Sequence, residues 1–131
     1  MKLTIIRLQH FSAQDCLDLA KIWPDVVPAM LEETLDRQHQ LYAAKFNDRL
    51  LAAVRIILQG ETGELHHFMV REVTRRRGVG KYLLEEVLAQ NETISRWWIA
   101  DTGLHDANVT AAFAKAAGFR ALPGGWEWQR N

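Results

Sequence analysis

Twelve consecutive residues, Val70 to Lys81, concentrate the groups most able to do chemistry. Arg71, Arg75, Arg76, Arg77 and Lys81 are cationic, Glu72 is acidic, and the glycines stand in an Arg75-x-x-Gly78-x-Gly80 spacing. An apolar run ending in Phe68, Met69 and Val70 leads in, and a helical pattern from Tyr82 leads out. This reads as strand, basic glycine loop and helix start. Glycines permit a tight turn whose backbone N–H groups converge on one point. The first N–H groups and the dipole of the following helix add positive potential there. Such a junction suits a diphosphate or a comparably charged anion. The dinucleotide fingerprint needs three glycines, and a P-loop needs Gly-Lys-Ser/Thr, so neither applies. The competing reading is a plain glycine turn with solvated arginines.

A second group of reactive side chains, Glu64, His66 and His67, lies just upstream. On a regular strand, adjacent His66 and His67 point to opposite faces, so at most one of them faces a site on either side. Packing or surface roles compete with a general base for that one. No further ligands stand at metal-binding spacing. The single cysteine, Cys16, excludes an internal disulfide and a thiolate cluster, and its place on an apolar helix face reads as buried packing.

Formal net charge over the 131 residues is zero. The glycine stretch has five cations against one Glu, so the rest of the chain is net acidic. A local basic patch on a neutral protein argues for a discrete anion site rather than general nucleic-acid binding. Lys2, Thr4 and Arg7 interrupt the first apolar run, against a signal peptide, and no stretch approaches the ~20 apolar residues of a membrane span. The expectation is a cytoplasmic protein, monomeric on its own, with neither nucleic acid nor membrane as partner.

The elements that must position these groups follow in order. Residues 3–8 read as a strand. Ser12 and Asp15 form a capping box for a helix with Cys16, Leu19, Ala20 and Trp23 on one face, ended by Pro24. A shorter helix over 29–35 follows Pro28, with Glu32, Glu33 and Asp36 outside. Strands over 40–46 and 50–58 flank Asn47-Asp48-Arg49, which is hairpin chemistry. After a turn over 59–63, a strand over 64–70 feeds the glycine loop. The next helix turns Leu83, Leu84, Val87 and Leu88 inward, and a strand over 95–100 carries Trp97 and Trp98. A last helix places Val109, Ala112, Phe113 and Ala116 on one face and stops at Gly118. Residues 119–122 and 126–129 then form a closing hairpin around Pro123-Gly124-Gly125. The predicted order is β-α-α-β-β-β-α-β-α-β-β in one domain over 1–131. That is an α/β fold of the mixed α+β kind, a central mixed sheet flanked by helices on both faces. Trp23, Trp97 and Trp98 read as core, whereas Trp126 and Trp128 share one strand face and fit core or interface.

The Arg-x-x-Gly-x-Gly signature between a strand and Tyr82-Leu83-Leu84, with the Ala116-Ala117-Gly118-Phe119 ending, resembles the GNAT acetyltransferase superfamily. Segments over 1–8, 49–55 and 70–80, with Lys21-Ile22-Trp23-Pro24, Tyr42-Ala43-Ala44 and Gly124-Gly125-Trp126, further resemble one branch of it. These are the maturation and regulatory factors of aspartate α-decarboxylase, and the loop over 26–38 departs most from them. The resemblance implies acetyl-CoA or CoA as ligand. It assigns the pyrophosphate to Thr74, Arg75, Arg76, Arg77, Gly78, Val79, Gly80 and Lys81, and the pantetheine arm to the main chain of Phe68, Met69 and Val70. The arm would lie where that strand splays from the one over 97–100.

The resemblance also places the family's usual proton donor, a tyrosine of the last helix, at Ala114, where a methyl cannot donate. Tyr42 and Tyr82 stand elsewhere in the chain. The function that the resemblance implies is regulatory, and the missing acid argues against strong acetyl transfer. CoA-loaded protein would bind the decarboxylase proenzyme, promote its self-cleavage to the pyruvoyl form, and restrain the mature enzyme. Arg71, Arg75 and Arg76 are the candidates to face the partner's carboxylates, and Asn47 at the hairpin tip is a second partner-facing candidate. The alternative is an active N-acetyltransferase on a small amine or peptide N-terminus, with Glu64, His66 or His67 as base.

Overall fold

Local chemistry sets the ends of several elements of the chain. The structure is a computed structural model describing residues 3–70, 78–100 and 107–130. The elements are β1 (Thr4–Arg7), α1 (Ala13–Ile22), α2 (Pro28–Thr34), β2 (His39–Phe46), β3 (Arg49–Gln59) and β4 (Thr62–Val70). They continue with α3 (Val79–Gln90), β5 (Arg96–Ala100), α4 (Ala107–Ala116), β6 (Arg120–Leu122) and β7 (Gly125–Gln129). This is the order expected from the sequence.

Ser12 Oγ accepts from the Asp15 N–H and the Asp15 carboxylate accepts from the Ser12 N–H, both at 3.0 Å, which completes the capping box of α1. Pro28 opens α2, where its missing N–H costs nothing. Asn47 and Asp48 take φ of 52° and 61°, as a type I′ turn requires at both central positions. They form a two-residue loop, so Arg49 belongs to β3 rather than to the turn. Gly60 starts the next turn at φ 60°, and β4 begins at Thr62, two residues earlier than expected.

The strands form one sheet in the order β1-β2-β3-β4-β5-β7-β6. Among the described residues β4 and β5 are its parallel pair, and the other neighbours are antiparallel. One face carries α3 and α4 over a core that includes Val54, Leu65, Phe68, Val70, Leu83, Leu84, Val87 and Trp97. The other carries α1 and α2 over Leu19, Ile22, Trp23, Leu31, Leu41, Leu50 and Ala53. Each large side chain so buried contributes about 1.5–3 kcal/mol.

Two helix faces differ from expectation. α1 buries Asp15, Asp18, Leu19 and Ile22, while Cys16 is only partly buried and Ala20 is exposed. The helix is rotated so that Asp18 meets Arg49 at the start of β3, at 2.9 Å. In α4, Ala114 is buried and Ala111, Phe113 and Ala117 pack on the core, whereas Ala112 and Ala116 face out. Alanine-rich helices have a weak apolar contrast, so the face is chosen by the fit to the sheet. The Val109 side chain lies outside the described residues. Glu32, expected on the outside of α2, is partly buried and accepts the Phe11 N–H at 2.8 Å.

Candidate functional site

The site begins where β4 leaves its neighbour. The parallel ladder runs from Thr62–Arg96 to Leu65–Ile99, and β4 continues past it to Val70. The residues beyond the ladder turn Phe68 and Val70 into the core, and Phe68 meets Phe113 edge to face at 5.6 Å. Their side chains are committed to packing, so what they offer a ligand is main chain.

Arg71, Thr74, Arg75, Arg76 and Arg77 lie outside the described residues. The description resumes at Gly78, which stands at φ 74° as the N-cap of α3, with no side-chain cap. The Tyr82 N–H donates to the Gly78 carbonyl at 3.0 Å, so the N–H groups of Val79, Gly80 and Lys81 precede the first intrahelical bond. No acidic residue occupies that first turn. Lys81 reaches Glu85 at 3.8 Å, a half-exposed pair that holds it only weakly.

The two glycines have separate reasons. A Cβ on Gly78 would find no atom of the described residues within 4 Å, so among them the positive φ is what demands glycine there. A Cβ on Gly80 would lie 2.8 Å from the Phe113 ring and 2.9 Å from a Val70 methyl. Gly80 therefore lets the first turn of α3 sit directly on the end of β4 and on α4.

The histidines depart from expectation. β4 carries a bulge, with His67 and Phe68 set against Val54 between the pairs Ala53–Met69 and Arg55–His66. His67 takes φ of 56°, and the Trp23 indole N–H donates to its carbonyl at 2.8 Å. A bulge inserts one residue and resets the alternation of faces. His66 and His67 consequently share the α1/α2 side, with ring centroids 6.3 Å apart. They line a cavity of about 110 Å³ with Leu35, His39, Gln40 and Arg55. His66 lies 3.3 Å from Glu64, and the His67 ring meets Trp23 edge-on.

Ala114 is fully buried, and its carbonyl accepts from the Ala117 and Phe119 N–H groups at 3.2 and 2.9 Å, ending α4 at Gly118. The Tyr42 hydroxyl accepts from Asn91 at 3.2 Å, and Tyr82 packs partly buried on the same core. Among the described residues no group of three or more His, Cys, Asp or Glu is placed to hold a metal. No helix among them is long and apolar enough to cross a membrane.

The family model for the acetyltransferase (GNAT) domain PanZ matches residues 2–127. The chain belongs to the PanZ family. The PanD regulatory factor of Escherichia coli K12 is 59% identical to this PanZ-family chain over 127 residues, covering 97% of this chain and 98% of the relative. That of Salmonella typhimurium LT2 is 56% identical over the same length and coverage. The solution structure of YhhK from Escherichia coli, an N-acetyl transferase by name and bound to coenzyme A, superposes with a TM-score of 0.88 at 57% identity. It covers 99% of this chain and 100% of that one. The mixed sheet with its flanking helices is thus the GNAT acetyltransferase fold, as the sequence implied.

Asn47 is exposed at the hairpin tip. Pairing carries Val70 to Ala52 and Ala52 to Ala44, so the tip and the β4–α3 junction emerge at the same end of the sheet. Sequence reasoning missed Asp18, a fully buried carboxylate that accepts from Gln14, from Arg49 and from the Leu50 N–H. Burial pushes its pKa up, but these donors outweigh that and hold it below the ordinary carboxylate value. The available signal was an acid on the inward face of α1, next to Leu19 and one turn before Ile22.

Proposed function

We propose that this PanZ-family protein is a CoA-dependent regulator of aspartate α-decarboxylase. Acetyl-CoA or CoA binds with its pyrophosphate at the amides of Gly78 to Lys81 and the preceding Thr74 to Arg77. Its pantetheine arm lies along the main chain of Phe68, Met69 and Val70. The loaded protein, a monomer in the cytoplasm until then, docks on the decarboxylase proenzyme and promotes backbone self-cleavage to the pyruvoyl form. It then restrains the mature enzyme, so that CoA limits its own supply. Arg71, Arg75, Arg76 and Asn47 face the partner.

The observation that carries this reading is the β4–α3 junction. A left-handed glycine opens a helix with no acid in its first turn, beside a strand that has outrun its parallel neighbour. This fits a pyrophosphate with an extended arm. The buried methyl of Ala114 supports sensing over transfer, and the names of the two curated relatives supply the partner. The test is proenzyme cleavage by purified protein. Acceleration is expected only when acetyl-CoA or CoA is present, and equal acceleration without either would refute the reading. Coupling must also be reciprocal, so the proenzyme should tighten CoA binding by the factor with which CoA tightens docking.

The sharing of one face by Glu64, His66 and His67 favours a second reading, acetyl transfer to an amine. Sustained thiol release from acetyl-CoA with an amine, lost in His66→Ala or His67→Ala, is its signature.

A further inference from the structure

The β2–β3 tip is held from outside its own hairpin. Asn47 and Asp48 both sit at positive φ, which non-glycine residues adopt reluctantly. Just behind them the ladder is irregular: Lys45 pairs with Leu50 and Ala44 with Ala52, so Leu51 is an extra residue. A bulge bends its strand and weakens the hold of the sheet on whatever lies beyond. The tip, residues 45–50, lies beyond this one.

The buried Asp18 carboxylate of α1 holds the tip side of that break. One oxygen accepts from Arg49 Nε and Nη2 at 3.0 and 2.9 Å, and the other accepts from the Leu50 N–H at 3.0 Å. Gln14, one turn earlier on α1, donates to the first oxygen at 3.1 Å. The two residues that follow the turn are thereby tied, one by its side chain and one by its backbone, to a single fixed point in a helix.

We propose that Asp18 is a positioning residue for docking: it fixes the hairpin tip so that Asn47 meets the decarboxylase in one orientation. This rests on the reading that Asn47 faces the partner. A contact ordered in advance does not lose its conformational freedom on binding, which lowers the cost of association. The described part of the proposed coenzyme site, on β4 and α3, supplies none of the clamp's partners, which are Gln14, Arg49 and Leu50.

The experiment measures docking of full-length protein on the decarboxylase proenzyme with saturating CoA, CoA affinity alone, and amide exchange at Leu50. Asp18→Asn should weaken docking at least tenfold, leave CoA affinity within twofold, and speed Leu50 exchange. Asp48→Gly, which gives the tip the Asn-Gly pair that type I′ turns favour, should restore docking on that background. If Asp18→Asn folds poorly, Arg49→Lys keeps the charge, loses the two-pronged bond, and should show the same split at about threefold. Docking unchanged in Asp18→Asn or Arg49→Lys, while Asn47→Ala weakens it, would overturn the inference and leave the interface reading intact. Docking unchanged in Asn47→Ala would remove the interface reading at that position and the inference with it.

Discussion

The two faces of the sheet are fastened by different means. Under α3 and α4 the contacts are mainly broad and apolar: Leu83, Leu84 and Val87 pack on Val54, Leu65 and Val70, with polar bonds at the C-terminal end of α3, where Gln90 donates to the Ile5 carbonyl and Asn91 to the Tyr42 hydroxyl. Under α1 and α2 a smaller apolar cluster is supplemented by directional bonds. Trp23 donates to the His67 carbonyl, Glu32 accepts from Phe11, and Asp18 accepts from Arg49 and Leu50. The difference suits the two tasks proposed for them. A coenzyme held by main-chain amides needs a platform that does not shift, and close packing resists deformation. A surface read by another protein needs exposed groups in set positions, and single polar anchors provide those without adding apolar area outside.

The platform breaks most sharply at Gly80. A Cβ there is already too close to Phe113 and Val70, so Gly80→Val overpacks the α3–α4 junction. It should cost about 1–3 kcal/mol of stability and displace the amides, with loss of CoA binding. Denaturant unfolding and CoA titration on the same sample check both parts. Gly78→Val separates conformation from packing. No atom of the described residues crowds its Cβ, so the expected cost is that of a left-handed backbone, about 1–2 kcal/mol. CoA affinity should fall at least tenfold while the fold persists. Gly78→Asn should recover much of that affinity because asparagine tolerates this conformation, whereas Gly80→Asn should not.

The polar face answers to acid. The Asp18 pKa is depressed in the folded state, so its contribution is present in full above the ordinary carboxylate value of 3.8 and is lost as pH falls through the folded value. The stability gap between the native protein and Asp18→Asn, followed by urea unfolding, should be constant near neutrality and close below that value. A gap that widened on acidification would mean that the Asp18 pKa is not depressed.

The same contrast explains what could be read in the sequence. The order of all eleven elements was legible because caps and turns are local: Ser12 with Asp15, Pro28, Asn47 with Asp48, and Gly118. Gly78 and Gly80 marked the platform for the same reason. The bulge at His67 could not be read, since histidine takes a positive φ only occasionally and no glycine stands there to mark it. Without it, His66 and His67 are assigned to opposite faces, and the cavity beside Arg55 goes unseen. The inward turn of Asp18 was hidden because its justification, Arg49, stands 31 residues away. Contacts that span the fold are set by tertiary structure, as the Asp18–Arg49 and Trp23–His67 bonds are on the α1/α2 face.

The smallest predicted effect tests whether the platform uses charge at all. Lys81 and Glu85 pair at 3.8 Å with both side chains about half exposed. An exposed pair four residues apart on a helix is worth about 0.3–0.5 kcal/mol, so Glu85→Gln should barely move the unfolding midpoint. Its effect on the ligand has the opposite sign. Removing the carboxylate frees Lys81 and takes a negative charge from the turn after the proposed pyrophosphate site, so CoA affinity should rise by about twofold in dilute buffer. Added salt should erase the gain, because the Debye length falls to about 8 Å at 0.15 M. Affinity that is indifferent to Glu85→Gln at low salt would mean that the amides of α3 act without help from Lys81.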